Sequence, residues 1–134
     1  MQKHLFAALA VMSLTLPALA DTAAPAPPPR PTARGGKFSM QGGQAIYEGV
    51  CQGCHMPGAT GAVGAGAYPA LAGNSKLEVA GYPVSVIMNG QKAMPALGAY
   101  FNDAQIADVV NYIRTHFGNN YTDKVTAAEI KMMR

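Results

Sequence analysis

Cys51-Gln52-Gly53-Cys54-His55 is the stretch whose residue types and spacing can do chemistry. Two thiols with two residues between them on a helical turn lie on one side of it, where each S–H can add across a vinyl group of one porphyrin and leave a thioether bond. His55 follows on the same turn and presents its imidazole to the iron as a fixed proximal ligand. The pattern therefore reads as a covalent haem attachment site.

Three plainer uses of the same residues fit less well. A thioredoxin-like dithiol needs its C-x-x-C after a strand in a βαβ pattern, and no strand pattern precedes Cys51. A zinc site would require the adjacent Cys54 and His55 to share one tetrahedral ion, with His116 as the only other histidine beyond the first 37 residues. A disulfide between Cys51 and Cys54 would be a tight ring, and closing so short a loop removes little entropy from the unfolded chain.

Haem iron held by His55 has a second axial position, and the chain has 8 methionines from which to fill it. The ligand must approach from the opposite side of the ring, on a segment able to fold over it. Met94 lies 39 residues after His55 in Gln91-Lys92-Ala93-Met94-Pro95-Ala96-Leu97-Gly98, a loop because Pro95 disfavours helix at the residue before it. Met56 is too close to His55. Met88 is the alternative, although it belongs to an apolar helical stripe that reads as core, and Met40, Met132 and Met133 lie in flanking segments. His116, near the end of a helix, suits a surface position favourable to the helix dipole.

The elements that must position these groups follow from periodicity and punctuation. Gln41 to Val50 reads as a helix running into the haem motif, with Gly43 and Tyr47 four apart on one face, where the glycine allows close approach of another helix and the aromatic packs beside it. Pro57 to Pro69 reads as a glycine and alanine loop. It lacks the strand, helix and lysine of a phosphate loop. A turn at Pro69, followed by Leu71, is placed to present a backbone carbonyl to the outer nitrogen of His55. Tyr82 to Asn89 is a short helix stopped by Asn89-Gly90. Asn102 to Phe117 is the clearest helix: Asn102 and Gln105 form a capping pair, Ile106, Val109, Val110, Ile113 and Phe117 recur at spacings of three and four, and Gly118 ends it. Its apolar face is expected to pack on the first helix, with Tyr112 joining Gly43 and Tyr47. A last short helix is expected behind Thr126 and Glu129.

Composition bounds the setting. Residues 1–20 have Lys3 and His4, an apolar run from Leu5 to Leu16 and small residues at Ala18 and Ala20, the pattern of a secretory signal peptide that is either cleaved before Asp21 or kept as an anchor. No segment of the mature chain is long and apolar enough for a membrane span. Residues 21–37, with Pro25, Pro27, Pro28, Pro29 and Pro31, form a Pro/Ala-rich linker with no core of its own. The domain proper is 38–134. From Phe38 onward Lys76, Lys92, Arg114, Lys124, Lys131 and Arg134 are balanced by Glu48, Glu78, Asp103, Asp108, Asp123 and Glu129, so no basic face is available for nucleic acid. With both cysteines committed to haem, the cofactor takes the place of a disulfide in an exported domain of this size.

In order along residues 40 to 118, Gly43-x-x-x-Tyr47, Cys51-x-x-Cys54-His55, Pro69-x-Leu71, Met94-Pro95 and the last long helix with Tyr112 together resemble the small class I c-type cytochromes of the bacterial periplasm. The resemblance implies an all-α, cytochrome c-like fold with its N- and C-terminal helices crossing and one covalently bound haem c in the core. It also implies low-spin iron ligated by His55 and Met94, with the Pro69 carbonyl as acceptor for His55. The tail from Asn119 to Arg134 is similar to the end of cytochrome domains that serve periplasmic alcohol, aldehyde and gluconate dehydrogenases. Two departures stand out: Tyr47 replaces a common phenylalanine, and the basic ring of mitochondrial cytochromes is absent.

A ring ligated on both faces has no site for substrate, which makes the expected protein a periplasmic one-electron carrier, not an enzyme. Its partners are then a periplasmic dehydrogenase or respiratory-chain components. Two variants remain within that class, a free shuttle and a dehydrogenase subunit. From other classes come a gas-binding or peroxidatic haem protein with a labile sixth ligand, and a thiol protein without haem.

Overall fold

The computed structural model describes residues 38–64 and 66–134. The expected signal peptide and Pro/Ala-rich linker lie outside the described residues.

The chain enters through a helical run of three parts: α1 (Gly43–Ile46), a π-helical stretch over Tyr47–Cys51, and α2 (Gln52–His55). The helix expected over Gln41 to Val50 thus starts later and runs through the haem motif. Its middle is widened to the i→i+5 pattern, which recurs at functional sites. Met56, at φ 68, ends it.

The Pro57–Pro69 segment departs from the expected loop. It contains β1 (Ala62–Val63) and β2 (Ala67–Tyr68), antiparallel, with Ala62 opposite Tyr68 and Val63 opposite Ala67. Of the glycines that suggested a structureless loop, Gly64 and Gly66 lie in its turn, and an otherwise helical domain gains one small hairpin. Gly61, at φ 66, is obligatory there, because a Cβ would lie 2.2 Å from the Tyr68 carbonyl oxygen.

A 3₁₀ turn over Ser75–Leu77, capped by the Asn74 side chain, leads to α3 (Gly81–Asn89), which ends at Gly90 as expected. α4 (Asp103–Thr115) has the anticipated capping box, with Asn102 and Gln105 bonded reciprocally at 2.9 Å each. α5 (Ala127–Met132) has a second one from Thr126 and Glu129.

The core forms where these helices meet. Ile106, Val109, Val110 and Ile113 of α4 are buried with Ile46, Tyr47, Val84 and Ile87. Gly43 is the contact that sets how closely α1 approaches α4: a Cβ there would sit 2.3 Å from the Asp108 carbonyl oxygen and 2.4 Å from Tyr112 Cβ. Tyr47 fills the space beside it, its ring 5.8 Å from Tyr112 and 4.8 Å from Phe117.

Two buried polar side chains lock the tail, and neither stood out in the sequence. Arg114, fully buried, donates from Nε to the Leu77 carbonyl at 2.8 Å, from Nη2 to the Glu78 carbonyl at 2.9 Å and to Asp123 Oδ1 at 2.7 Å, and from Nη1 to the Asp123 carbonyl. Asn119 donates to the carbonyls of Leu71 and Ile113 at 2.8 Å and accepts from the Asn74 amide at 2.9 Å. A buried charge is tolerable when it is paired and hydrogen-bonded; each of the three nitrogens has a partner, and Arg114 is the rivet between α4, the 3₁₀ turn and the chain before α5. Among the described residues no helix is long and apolar enough to cross a membrane.

Candidate functional site

Cys51, Cys54, His55, Pro69 and Met94, far apart in sequence, line one cavity of about 860 Å³. That volume lies within the roughly 300–1,000 Å³ of small-molecule and cofactor sites. Its wall is apolar, drawn from Leu71, Leu77, Ile87, Leu97, Val109 and Ile113, so α3 and α4 supply the sides while the helical run carrying the cysteines and the Met94 loop contribute the reactive groups.

His55 is held by its surroundings before any ligand binds. It is buried, and its Nδ1–H donates to the Pro69 carbonyl oxygen at 2.9 Å, which fixes the tautomer and leaves Nε2 as the nitrogen able to ligate. The hairpin makes this bond possible: the Gly61 amide donates to the His55 carbonyl at 3.1 Å, and the amides of Leu71 and Ala72 donate to the Ala59 carbonyl at 2.8 and 2.9 Å, so both sides of the Pro69 turn are tied to the residues after His55. Tyr47 adds a further tie, its hydroxyl donating to the Met56 carbonyl at 2.7 Å. That bond gives the tyrosine a role a phenylalanine could not fill. Burial, followed by the nearby Cys51 and Tyr112, pushes the Tyr47 hydroxyl up to about 12, so it stays a donor.

Both cysteines are free thiols, Cys51 half-buried and Cys54 exposed. Burial, then the neighbouring Cys54, pushes the Cys51 thiol up to about 12. A redox dithiol needs the opposite, a thiol stabilised as thiolate. Among the described residues no three His, Cys, Asp or Glu side chains converge as a metal-binding group.

Met94 reaches the cavity on a tight turn. The amides of Gln91 and Met94 donate to each other's carbonyls at 3.0 and 2.9 Å, and those of Leu97 and Gly98 donate to Ile87 and Met88 at 2.8 and 3.3 Å. The loop is therefore stapled onto the end of α3. Gly90, at φ 74, is a second obligatory glycine, since a Cβ would lie 2.7 Å from the Met94 carbonyl oxygen. Among the described residues the other thioethers lie outside the cavity lining. Met88 does not line the cavity and packs partly buried against the core, Met40 packs on Gly49, and Met132 and Met133 are exposed. His116 caps the end of α4, stacked on Tyr112 at 4.1 Å and outside the cavity lining.

The lining suits a haem. It is a largely apolar slot with two thiols and an oriented imidazole on one side and a thioether among the remaining lining groups. Among the described lining residues the charged side chains are Lys76 and Lys92 and none is a carboxylate, a sign of charge that complements a macrocycle carrying two propionates.

Comparison with known proteins points the same way. Residues 38–113 match the family described as cytochrome c oxidase, cbb3-type, subunit III. The gluconate 2-dehydrogenase cytochrome c subunit of Pantoea cypripedii is 32% identical over 112 residues, covering 70% of this chain and 24% of that protein. The fructose dehydrogenase cytochrome subunit of Gluconobacter japonicus is 33% identical over 107 residues, covering 69% and 22%. The cytochrome c subunit of the quinone-type alcohol dehydrogenase of Gluconacetobacter polyoxogenes is 36% identical over 106 residues, covering 69% and 22%. The chain thus spans less than a quarter of the length of these relatives.

Proposed function

Since this chain belongs to the cytochrome c family described as cytochrome c oxidase, cbb3-type, subunit III, we propose that it is a mono-haem, one-electron carrier of the periplasm, with haem c attached through Cys51 and Cys54 and iron ligated by His55 and Met94. The observation that carries this reading is the convergence of those four side chains on one apolar cavity, with His55 already oriented by Pro69.

Bound haem c supplies one-electron exchange between ferrous and ferric iron. Cys51 and Cys54 hold the ring edge, and Cys54 is exposed, which keeps that edge near the surface. His55 ligates through Nε2. Met94 would be the second side chain to hold the iron, and with both His55 and Met94 bound to it no site would be left for substrate. Thioether ligation and the apolar wall both favour the less charged ferrous state and hence a comparatively high potential. In this reading α1 with its π and α2 continuation is the N-terminal helix, and it crosses α4 at Gly43.

Residues 1–20 serve as the export signal and 21–37 as a spacer. The named relatives are cytochrome subunits of gluconate, fructose and alcohol dehydrogenases, which favours a dehydrogenase of sugars, sugar acids or alcohols as electron donor. Docking near Cys54 would be weak and transient, as turnover requires.

The test is a reduced-protein carbon monoxide titration at neutral pH beside a pyridine haemochrome assay. A c-type haemochrome with one haem per chain and no rapid carbon monoxide binding is expected. Rapid stoichiometric binding overturns the carrier reading in favour of a gas-binding or peroxidatic protein, and absence of a haemochrome overturns haem attachment altogether.

A further inference from the structure

The loop that bears Met94 is stapled to α3 on one side, and on its far side it is gripped by a residue from a distant part of the chain. Arg134 donates from Nη1 to the Gly98 carbonyl at 2.7 Å and from Nη2 to the Phe101 carbonyl at 2.8 Å, and its Nε pairs with Asp103 Oδ1 at 2.5 Å. A planar guanidinium thus bridges three groups within a six-residue stretch, from the end of the Met94 loop to the first turn of α4. Arg134 follows α5, whose Ile130 is fully buried and whose approach is fixed by the Thr126–Glu129 capping box, so the grip is anchored in the core. The same stretch is tied elsewhere too: the Gly98 amide donates to the Met88 carbonyl and the Phe38 amide to the Tyr100 carbonyl, each at 3.3 Å, Phe101 is buried with the Phe38 ring 4.9 Å away, and Asn102 is held in the capping box with Gln105. Gly98 itself packs against the Met88 backbone with no room for a side chain. Opening the Met94 loop as far as Gly98 would have to break the Arg134 bond to the Gly98 carbonyl as well as the bonds to α3.

We propose that Arg134 is a positioning residue for the Met94 thioether: the clasp it forms on residues 98–103 sets how often the loop opens and therefore how readily an external ligand takes the sixth position. The inference rests on the His55/Met94 reading above. It separates the behaviour of the site into two parts, with the α3 staple setting where Met94 sits and the Arg134 clasp setting how long it stays.

The probe is free imidazole, titrated into the ferric full-length holoprotein and followed by loss of the far-red sulfur-to-iron absorption band. Arg134→Gln should raise imidazole affinity about tenfold, because apparent affinity scales with the open population. Arg134→Lys, which keeps the charge near Asp103 and loses the fork, should fall between, and it serves as the reporting variant should Arg134→Gln not fold. Ile46→Val, which weakens the core away from the loop, is the control for general destabilisation and should leave imidazole affinity unchanged. A parent protein with no sulfur-to-iron band overturns the Met94 reading and this inference with it. A band present in the parent but with imidazole affinity unmoved by either Arg134 variant, or moved equally by Ile46→Val, overturns this inference alone.

Discussion

Met94 and His55 differ in how firmly the protein holds them, and that difference is testable one residue at a time. Met94→Ala should abolish the far-red sulfur-to-iron band and open the reduced iron to carbon monoxide while leaving the covalent haemochrome intact, as measured by absorption spectroscopy of the purified variant. Survival of the band would end the assignment. That Cys51, Cys54 and His55 meet Pro69 and Met94 at one cavity was legible, the first three from their adjacency and the others from the prolines that mark the turns presenting them. Arg114 and Asn119 were not legible. Each is an ordinary polar residue whose role comes from carbonyls about 40 positions away in the chain, and nothing local in a sequence announces such partners. Arg114→Met should cost about 1–3 kcal/mol for the carbonyls it leaves unpaired, seen as a lower urea midpoint. Asp123→Asn should cost far less, because Asp123 is 75% exposed and the three carbonyl contacts of Arg114 survive it.

At the scale of elements, the informative position is the contact between α1 and α4. Gly43→Ala places a methyl against the Asp108 carbonyl and Tyr112 Cβ. With backbone on one side there is no flexible neighbour to give way, so an overpacking cost of about 1–3 kcal/mol follows, or a fall in Tm of roughly 4–8 °C per kcal/mol for a domain of this size. Differential scanning calorimetry of the holoprotein checks it, and an unchanged Tm would mean the helices do not meet as described. The long helices were legible from their apolar spacing and caps. The hairpin was not, because its strands are two residues each and a run of alanine and glycine has no alternation to read. The π-helical turn was equally silent, since it leaves the helical pattern of residues intact and changes only which carbonyl each amide meets.

For the molecule as a whole, the balance of charge predicts how acid unfolds it. The Asp123 carboxyl is held below the usual carboxylate range by hydrogen bonding to Arg114, and that of Glu129 by the backbone and hydroxyl of Thr126. Both groups lose protons more readily folded than unfolded, so their contribution is complete above the unfolded carboxylate range near pH 4 and is lost as pH falls through the lower folded values. Stability should be flat from neutrality to about pH 5 and decline below pH 4, with α5 loosening first because both carboxylates secure its entry. Circular dichroism melts across that range would show it, and a decline already beginning near pH 6 would overturn the carboxylate account.

The acceptor that orients His55 is a main-chain oxygen. No amino-acid replacement at position 69 deletes that atom, so random mutation can weaken the bond only by reshaping the hairpin that carries it, and Gly61 is where one base change would do so most directly. The bond that orients His55 is thereby insulated from substitution of its acceptor, whereas His55 and Met94, as side chains, can each be exchanged in one step.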